Sequence, residues 1–220
     1  MNKFLFLIIL TNLLMFTINE SIDCSKLEIS SKTDQLIFVI PNNYKTSTAD
    51  FYYFIKQNDV WKEVLTTKAY IGKNGLGKEK EGDYKTPIGA YKFNKYFGIN
   101  DNPGTKMPYI KLNNSLYWDG DSNSKRYNQM VNIETYKDFD KSKSEHLIDA
   151  ILAYKYAMNI NYNENGTPFK GSAIFLHCYS YNQFTAGCVA IPEKDMIKVL
   201  KNVHKDTTII IDLLTNLHKY

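Results

Sequence analysis

Short apolar runs separated by turn-forming residues are the main pattern along this chain. Such runs, rich in β-branched and aromatic side chains, predict β-strands. Residues 57–59 (QND) separate two of them and predict a hairpin connection. The predicted strands cover residues 36–40, 51–56, 61–69, 90–93, 156–160, 172–177 and 207–211.

Two segments have apolar residues at helical spacing instead. The first begins at Ser144 and has Leu147, Ile151 and Tyr154 on one face; the second covers residues 193–203 after Pro192. The predicted fold class is therefore mainly β with a few helices (α+β). Residues 172–177 are almost entirely apolar, which predicts a strand buried on both faces.

Residues 94–143 are polar and show little periodicity, so we expect a long excursion from the strands. Its aromatic residues, Tyr109, Tyr117, Trp118 and Tyr127, favour an ordered segment that faces a substrate.

The first 22 residues have the pattern of an export signal. Lys3 precedes an apolar stretch, residues 4–16, which is too short for a comfortable membrane span and is followed by polar residues. We therefore predict a signal peptide or hydrophobic leader at 1–22 and a single domain at 30–220. A buried N-terminal strand is the alternative. No later segment predicts a membrane span once the leader is removed.

The composition of the chain limits the classes of partner that it is expected to bind. The 220 residues are 44% hydrophobic, which is enough for a core, and the formal net charge is +4. The positive residues form no dense block, so we expect no nucleic-acid partner. We also expect a monomer that needs no cofactor. With three cysteines a disulfide framework is not predicted, although Cys24 and Cys178 could pair and leave Cys188 free.

His177 ends an apolar run, and Cys188 follows eleven residues later in a Thr-Ala-Gly-Cys turn. A thiol needs a base to become a nucleophile near neutral pH, and a positioned histidine supplies one. A core histidine with a buried, inert cysteine is the alternative that the spacing leaves open. A zinc site at His177, Cys178 and Cys188 lacks a fourth ligand at useful spacing, so no metal is expected.

Four blocks of sequence together resemble the L,D-transpeptidase catalytic domain family (YkuD-like). They are residues 81–89 (EGDYKTPIG), Tyr127-Asn128, residues 174–177 (IFLH) and residues 185–189 (TAGCV), and the resemblance covers about residues 36–191. It implies a β-sandwich around a catalytic cleft.

The resemblance also implies roles for individual residues. Cys188 would be the nucleophile, His177 its base, and the backbone carbonyl of Cys178 would orient the imidazole. Gly187 would let backbone N–H groups approach an oxyanion, and Thr185 would support the loop. Ala186 stands where many members have a second histidine, which bears on the acyl acceptor and on sensitivity to β-lactams.

The further candidates for substrate binding are Tyr127, Asn128, Arg126 and Trp118. For Arg126 and Trp118 the alternative is surface packing or a solvated charge. Arg126 is the single arginine of the chain and could pair with a carboxylate of the substrate.

The implied function is that of an exported, cysteine-dependent L,D-transpeptidase. It would act on peptidoglycan stem peptides through a thioester acyl-enzyme and be secreted, periplasmic or associated with the cell wall. An L,D-carboxypeptidase that uses water, and a wall-binding module that has lost its chemistry, are the alternatives. A sortase-like enzyme is disfavoured because no arginine follows Cys188.

Overall fold

The computed structural model describes residues 22–220. The predicted leader at 1–22 therefore lies, except for Ile22, outside the described residues. Within residues 22–220 no helix has the length and apolar character needed to cross a membrane.

Strands dominate the described chain, which confirms the mainly β fold class. The strands are β1 (Gln35–Ile40), β2 (Thr48–Gln57), β3 (Val60–Tyr70), β4 (Gly89–Gly98), β5 (Tyr109–Lys111), β6 (Leu116–Trp118), β7 (Met130–Asn132), β8 (Glu145–His146), β9 (Ala157–Ile160), β10 (Phe175–Cys178), β11 (Val189–Ile191) and β12 (Thr208–Ile211). An α-helix, α1, covers Glu193–Asn202. Short 3₁₀ turns lie at Cys24–Lys26, Glu28–Ser31, Lys141–Lys143, Leu147–Asp149, Ala153–Lys155 and Leu214–Lys219.

Nine of these strands form one sheet that closes on itself. Their order is β12-β1-β2-β3-β11-β10-β9-β4-β5, and β12 also pairs with β4. The predicted hairpin joins β2 to β3, and Asn58 and Asp59 both have positive φ there. That conformation suits the twist of a two-residue hairpin and is one that asparagine and aspartate tolerate.

Strands from the two sides of the closed sheet face each other across the main core, as in a β-sandwich. Ile37 and Val39 of β1 share this core with Leu176 of β10 and Ile191 of β11. Helix α1 adds its apolar face, including Met196, to the same core. The alternate side chains of each strand point outward, because side-chain direction has a period of two along a strand.

Two outer clusters cover the outward side chains on opposite sides of the main core. On the β1 side, Phe38 and Ile210 pack under the terminal 3₁₀ turns with Cys24 and Leu217. On the β10 side, a cluster that we call the site cluster contains Phe97, Leu112, Trp118, Leu147, Tyr154, Ala157, Phe175 and Cys188.

The region 94–143 is less irregular than its sequence suggests. Strand β4 continues to Gly98, and β6 forms a small sheet with β7 and β8. Trp118 and Tyr127 are 1% and 2% exposed. The polar residues of the segment form turns, while its aromatic residues anchor it to the site cluster and its surroundings.

The helix predicted from Ser144 is wrong. Glu145 and His146 pair with β6, and the chain then continues through two separate 3₁₀ turns. The apolar residues that suggested one helical face do not share one: Leu147 is buried, whereas Ile151 is 66% exposed. A helix this short gains little stability from its backbone alone, so contacts with the site cluster decide the conformation.

All three cysteines are free thiols. Cys24 lies in the cluster on the β1 side, whereas Cys178 lies in the main core. The disulfide between them that the sequence left open is therefore not formed.

Candidate active site

Cys188 and His177 lie on the same outward face of two neighbouring strands. Strands β10 and β11 are parallel, with Leu176 opposite Val189, so Cys188 lies beside Phe175. Phe175 and His177 are two residues apart in β10 and share a face, because side-chain direction alternates. The same cavity is lined by both His177 and Cys188. The fold thus brings together the thiol and imidazole that the sequence singled out.

The Cys188 thiol is buried and hydrogen-bonded to the backbone. Its Sγ lies 3.2 Å from the Ala173 carbonyl, to which the thiol donates, and 3.3 Å from the Phe175 N–H, which donates to it. Burial raises the pKa of the thiol to about 12, and the negative charge of Glu145 adds to this. The Phe175 N–H and the positive charge of Lys78 act in the opposite direction. The resting thiol is therefore neutral.

The His177 ring is oriented by the backbone of its neighbour. Its Nδ1 lies 2.7 Å from the Cys178 carbonyl. Since a carbonyl only accepts, Nδ1 carries the proton and Nε2 is the free basic nitrogen. Burial lowers the pKa of His177 to about 4, against a smaller opposite effect of the Cys178 carbonyl. Both reactive groups thus rest uncharged at neutral pH.

Cys178 has its thiol and its carbonyl on different sides of β10. Its Sγ lies 3.6 Å from the Tyr156 carbonyl in the main core, where burial raises its pKa to about 12. The carbonyl alone reaches the site, so the identity of this side chain matters little to His177.

The turn before Cys188 is held by two threonines. Thr185 Oγ1 accepts from the Gly187 N–H at 3.1 Å and donates to the Cys188 carbonyl at 2.7 Å. Thr86 Oγ1 reaches the same carbonyl at 3.4 Å. Gly187 has φ +146°, and a Cβ there would lie 2.9 Å from the Lys85 carbonyl oxygen. A residue without a side chain is therefore needed immediately before the thiol.

The cavity over Cys188 has a volume of about 610 Å³, a size typical of small-molecule and peptide sites. Aromatic, small and charged side chains all contribute to its walls. The residues that line it include Lys78, Glu81, Tyr84, Trp118, Lys143, Glu145, Tyr154, Ser172, Ala173, Ile174, Asn182, Phe184 and Thr185.

One wall contains a buried ion pair. Lys78 Nζ lies 2.9 Å from Asp83 Oδ1, and the two side chains are 2% and 8% exposed. Burial alone would raise the pKa of Asp83, but hydrogen bonds from the Glu79 N–H, Lys78 and other donors outweigh it and hold the pKa at about 2. The charged end of Lys78 lies close to Gly187: a Cβ added at that glycine would be 3.7 Å from Lys78 Nζ.

Asn128 and Tyr127, predicted to bind substrate, make hydrogen bonds inside the protein. Asn128 Oδ1 accepts from Trp118 Nε1 at 2.9 Å and from the Ala173 N–H at 3.0 Å. Its Nδ2 donates to two backbone carbonyls, those of Tyr162 and Asn163, each at 2.9 Å. The Tyr127 hydroxyl donates to Glu81 and accepts from the Gly171 N–H at 3.0 Å. Neither residue lines the cavity over Cys188; Trp118 does.

Arg126 is not brought to Cys188. Its guanidinium pairs with Asp138 at 2.8 Å and lies over the ring of Tyr136, 4.4 Å from the centroid. It borders a separate cavity of about 320 Å³ with several acidic side chains.

Three residues that line the cavity are not among those predicted from the sequence: Lys78, Glu145 and Tyr154. Glu145 and Tyr154 fall in the segment that was predicted to be a helix, and no sequence motif singles out Lys78. Finding Glu145 would have required a sequence signal for β8, a strand of only two residues. Within residues 22–220 no group of three or more histidine, cysteine or acidic side chains is placed to hold a metal ion.

A family model described as the L,D-transpeptidase catalytic domain (YkuD) matches residues 37–211. The chain therefore belongs to the L,D-transpeptidase catalytic domain family, which confirms the resemblance drawn from the four blocks. No curated protein matches the chain.

Solved structures of similar fold share little sequence with this chain. Bd1075 of Bdellovibrio bacteriovorus is 17% identical, with a TM-score of 0.43, over 88% of this chain and 55% of that one. The helical cell shape determining protein Pgp2 of Campylobacter jejuni is 15% identical, with a TM-score of 0.41, over 82% and 48%. An L,D-transpeptidase of Mycobacterium smegmatis is 10% identical, with a TM-score of 0.39, over 81% and 58%. The match thus spans about half the length of each of these proteins.

Proposed function

We propose that this protein is a cysteine-dependent L,D-transpeptidase that acts on peptidoglycan stem peptides through a thioester acyl-enzyme. The observation that carries the proposal is the common face of Cys188 and His177 at one cavity, with Nε2 of the imidazole left free by the Nδ1 contact to Cys178. Membership of the family supplies the substrate class.

In the first half of the reaction the Cys188 sulfur attacks the carbonyl carbon of an L,D-peptide bond. His177 Nε2 takes the thiol proton as the C–S bond forms, and then gives it to the departing amino group as the C–N bond breaks. The leaving D-amino acid is released and a thioester remains. Because thiol and imidazole both rest neutral, the proton moves only when a carbonyl is in place.

In the second half an amine of another stem attacks the thioester. A C–N bond forms, the C–S bond breaks, and the proton from nitrogen returns through His177 to the sulfur. Water in place of the amine would make the protein an L,D-carboxypeptidase. The proposal includes a location outside the cytoplasm, secreted, periplasmic or at the cell wall, where the substrate lies.

The decisive experiment uses intact mass spectrometry with a defined tetrapeptide stem. The unmodified protein should gain the mass of the acyl group at Cys188 and release the terminal D-amino acid. Cys188→Ala should lose both while keeping its circular dichroism spectrum, whereas Cys24→Ala, a matched change at a buried thiol away from the cavity, should keep both. Turnover by Cys188→Ala would end the proposal. A folded protein that gains no mass would favour a wall-binding module.

A further inference from the structure

Glu145 places a carboxylate in the wall of the catalytic cavity. In the β6–β8 pair it lies opposite Trp118, so both side chains share one face. Both residues line the cavity together with Cys188. The short strand β8 therefore presents an acidic side chain to the space in which a substrate would react.

Tyr154 links this carboxylate to the reactive pair. Its hydroxyl donates to Glu145 Oε1 at 2.6 Å. Its ring meets the His177 ring edge to face, with centroids 5.6 Å apart and an interplanar angle of 75°. Tyr154 also shares the site cluster with Cys188. One aromatic side chain thus separates the Glu145 carboxylate from the imidazole.

No cation within residues 22–220 neutralises Glu145. The nearby Lys143 pairs instead with Asp121 at 3.3 Å and Asp140 at 3.8 Å, while Lys78 pairs with Asp83. Burial raises the pKa of Glu145, although the Tyr154 hydroxyl opposes this. A partly buried carboxylate with one oxygen committed to a tyrosine can accept a hydrogen bond from a cationic group of a ligand.

We propose that Glu145 receives the amino group of the acyl acceptor and makes an amine, rather than water, the preferred nucleophile. The inference rests on the proposed function, since it concerns the fate of the thioester at Cys188. An acceptor amine is protonated in neutral solution, and a carboxylate next to the thioester would bind it there.

The chemistry requires one additional proton transfer. The ammonium group gives a proton to Glu145 and becomes a neutral amine. The amine attacks the thioester carbonyl, a C–N bond forms and the C–S bond breaks. The second proton leaves nitrogen through His177 and ends on the Cys188 sulfur, and the neutral Glu145 carboxyl then loses its proton to solvent.

The test measures how the acyl-enzyme divides between nucleophiles. The protein is loaded with a tetrapeptide stem at pH 7 and offered glycinamide, which is largely cationic, or hydroxylamine, which is largely uncharged. Amide, hydroxamate and acid products are separated by mass. The variants are Glu145→Gln and Tyr154→Phe, which keep side-chain size, with Glu164→Gln as a matched change at an exposed carboxylate outside the cavity.

We expect Glu145→Gln to lower the ratio of amide to acid with glycinamide by about 10- to 100-fold, the value of a charge-assisted hydrogen bond. The hydroxamate ratio should hold, because an uncharged nucleophile needs no negative charge at this position. Tyr154→Phe should lower the amide ratio by a smaller factor, and Glu164→Gln should leave it unchanged.

Three results would overturn the inference and leave the proposed function in place: an unchanged amide ratio in Glu145→Gln, an equal loss with both nucleophiles, or a wild-type thioester that reacts with water alone. A wild-type protein that forms no thioester would instead contradict the proposed function. Melting curves of each variant separate these results from misfolding.

Discussion

At the scale of the residue, burial determines the chemistry of the reactive pair. Cys188 is 8% exposed and His177 is 6% exposed, and the loss of solvent disfavours the charged form of each group. The site therefore does not store a thiolate–imidazolium ion pair. In the proposed reaction the nucleophile forms only as the proton passes to Nε2.

The first prediction concerns the pH dependence of acylation. In the proposed reaction His177 is the base, a role that only the neutral imidazole can fill, and its pKa is lowered from 6.5 to about 4. We expect kcat/KM for acylation to stay level as the pH falls from 7 to about 5 and to drop as His177 gains a proton near pH 4. Stopped-flow mass analysis would measure the profile, with circular dichroism to verify the fold at each pH. An inflection near pH 6.5 would contradict the prediction.

Asn128 carries a second prediction at this scale. Asn128→Ala removes four hydrogen bonds and leaves Trp118 Nε1, the Ala173 N–H and two carbonyls without that partner. Since each buried unpaired group costs about 1–3 kcal/mol, the free energy of unfolding should fall by at least about 3 kcal/mol. Acylation should slow too, because the Ala173 carbonyl accepts from the Cys188 thiol. Urea titration measures the loss, and Asn114→Ala, an exposed change, should cost little.

The sequence singled out two side chains that meet at the cavity, but it did not point to Lys78, Glu145 or Tyr154. His177 and Cys188 could be found because their chemistry requires particular residue types in a recognisable block. Asn128 could be found from its block, but its hydrogen bonds are internal, and a sequence does not distinguish an amide that holds a loop from one that binds a ligand. Glu145 reaches the cavity only through the pairing of β8 with β6, a contact between segments distant in sequence.

At the scale of the element, strands were predictable where both of their faces are buried. Turns were predictable where the backbone conformation suits only a few residue types. Strands β1 and β10 and the hairpin at Asn58 are such cases. The segment after Ser144 was not predictable. Its apolar residues are spaced as in a helix, but the same spacing occurs in a chain of short turns that buries only some of those side chains. Helix α1 was predicted correctly: its apolar residues all face one core.

The turn before Cys188 yields a third prediction. Gly187→Ala would place a Cβ 2.9 Å from the Lys85 carbonyl oxygen and 3.1 Å from Ile174 Cδ1, at a φ of +146°. We expect the free energy of unfolding to fall by about 2–3 kcal/mol and acylation to be lost, since the turn must shift. Gly104→Ala is the matched control.

Gly104 also has positive φ, at +109°, but the nearest atom to its Cβ would be the flexible Lys201 Cε at 3.7 Å. That control should cost only about 1 kcal/mol and leave acylation intact. Equal losses in the two variants, measured by thermal unfolding and intact mass, would mean that backbone conformation rather than crowding is what Gly187 provides.

At the scale of the whole molecule, the last strand closes the sheet. β12 pairs in parallel with β1 and antiparallel with β4, so it joins the beginning and the middle of the chain. These pairings close long loops, which makes them costly in chain entropy and slow to form.

A fourth prediction follows from this closure. A chain that ends at Asp206 lacks β12, so β1 and β4 each lose one of their pairing partners and the main core is uncovered. We expect it to be unfolded or aggregated by size-exclusion chromatography and circular dichroism. A chain that ends at Leu213 keeps β12 and loses only the last 3₁₀ turn, so it should fold with a lower melting temperature. A monomeric, folded product from the shorter chain would show that β12 is dispensable.

The terminal turns have a practical consequence for handling the protein. The two ends of the described chain are in contact, because the Ile29 N–H donates to the Tyr220 carbonyl at 2.8 Å. The terminal 3₁₀ turns cover the β1 side of the main core, while the cavity opens on the β10 side. A fluorescent label or a surface tether attached at Tyr220 would therefore project away from the opening. Immobilised in this way, the domain would present its sulfur to an insoluble polymer such as a purified sacculus without steric obstruction from the support.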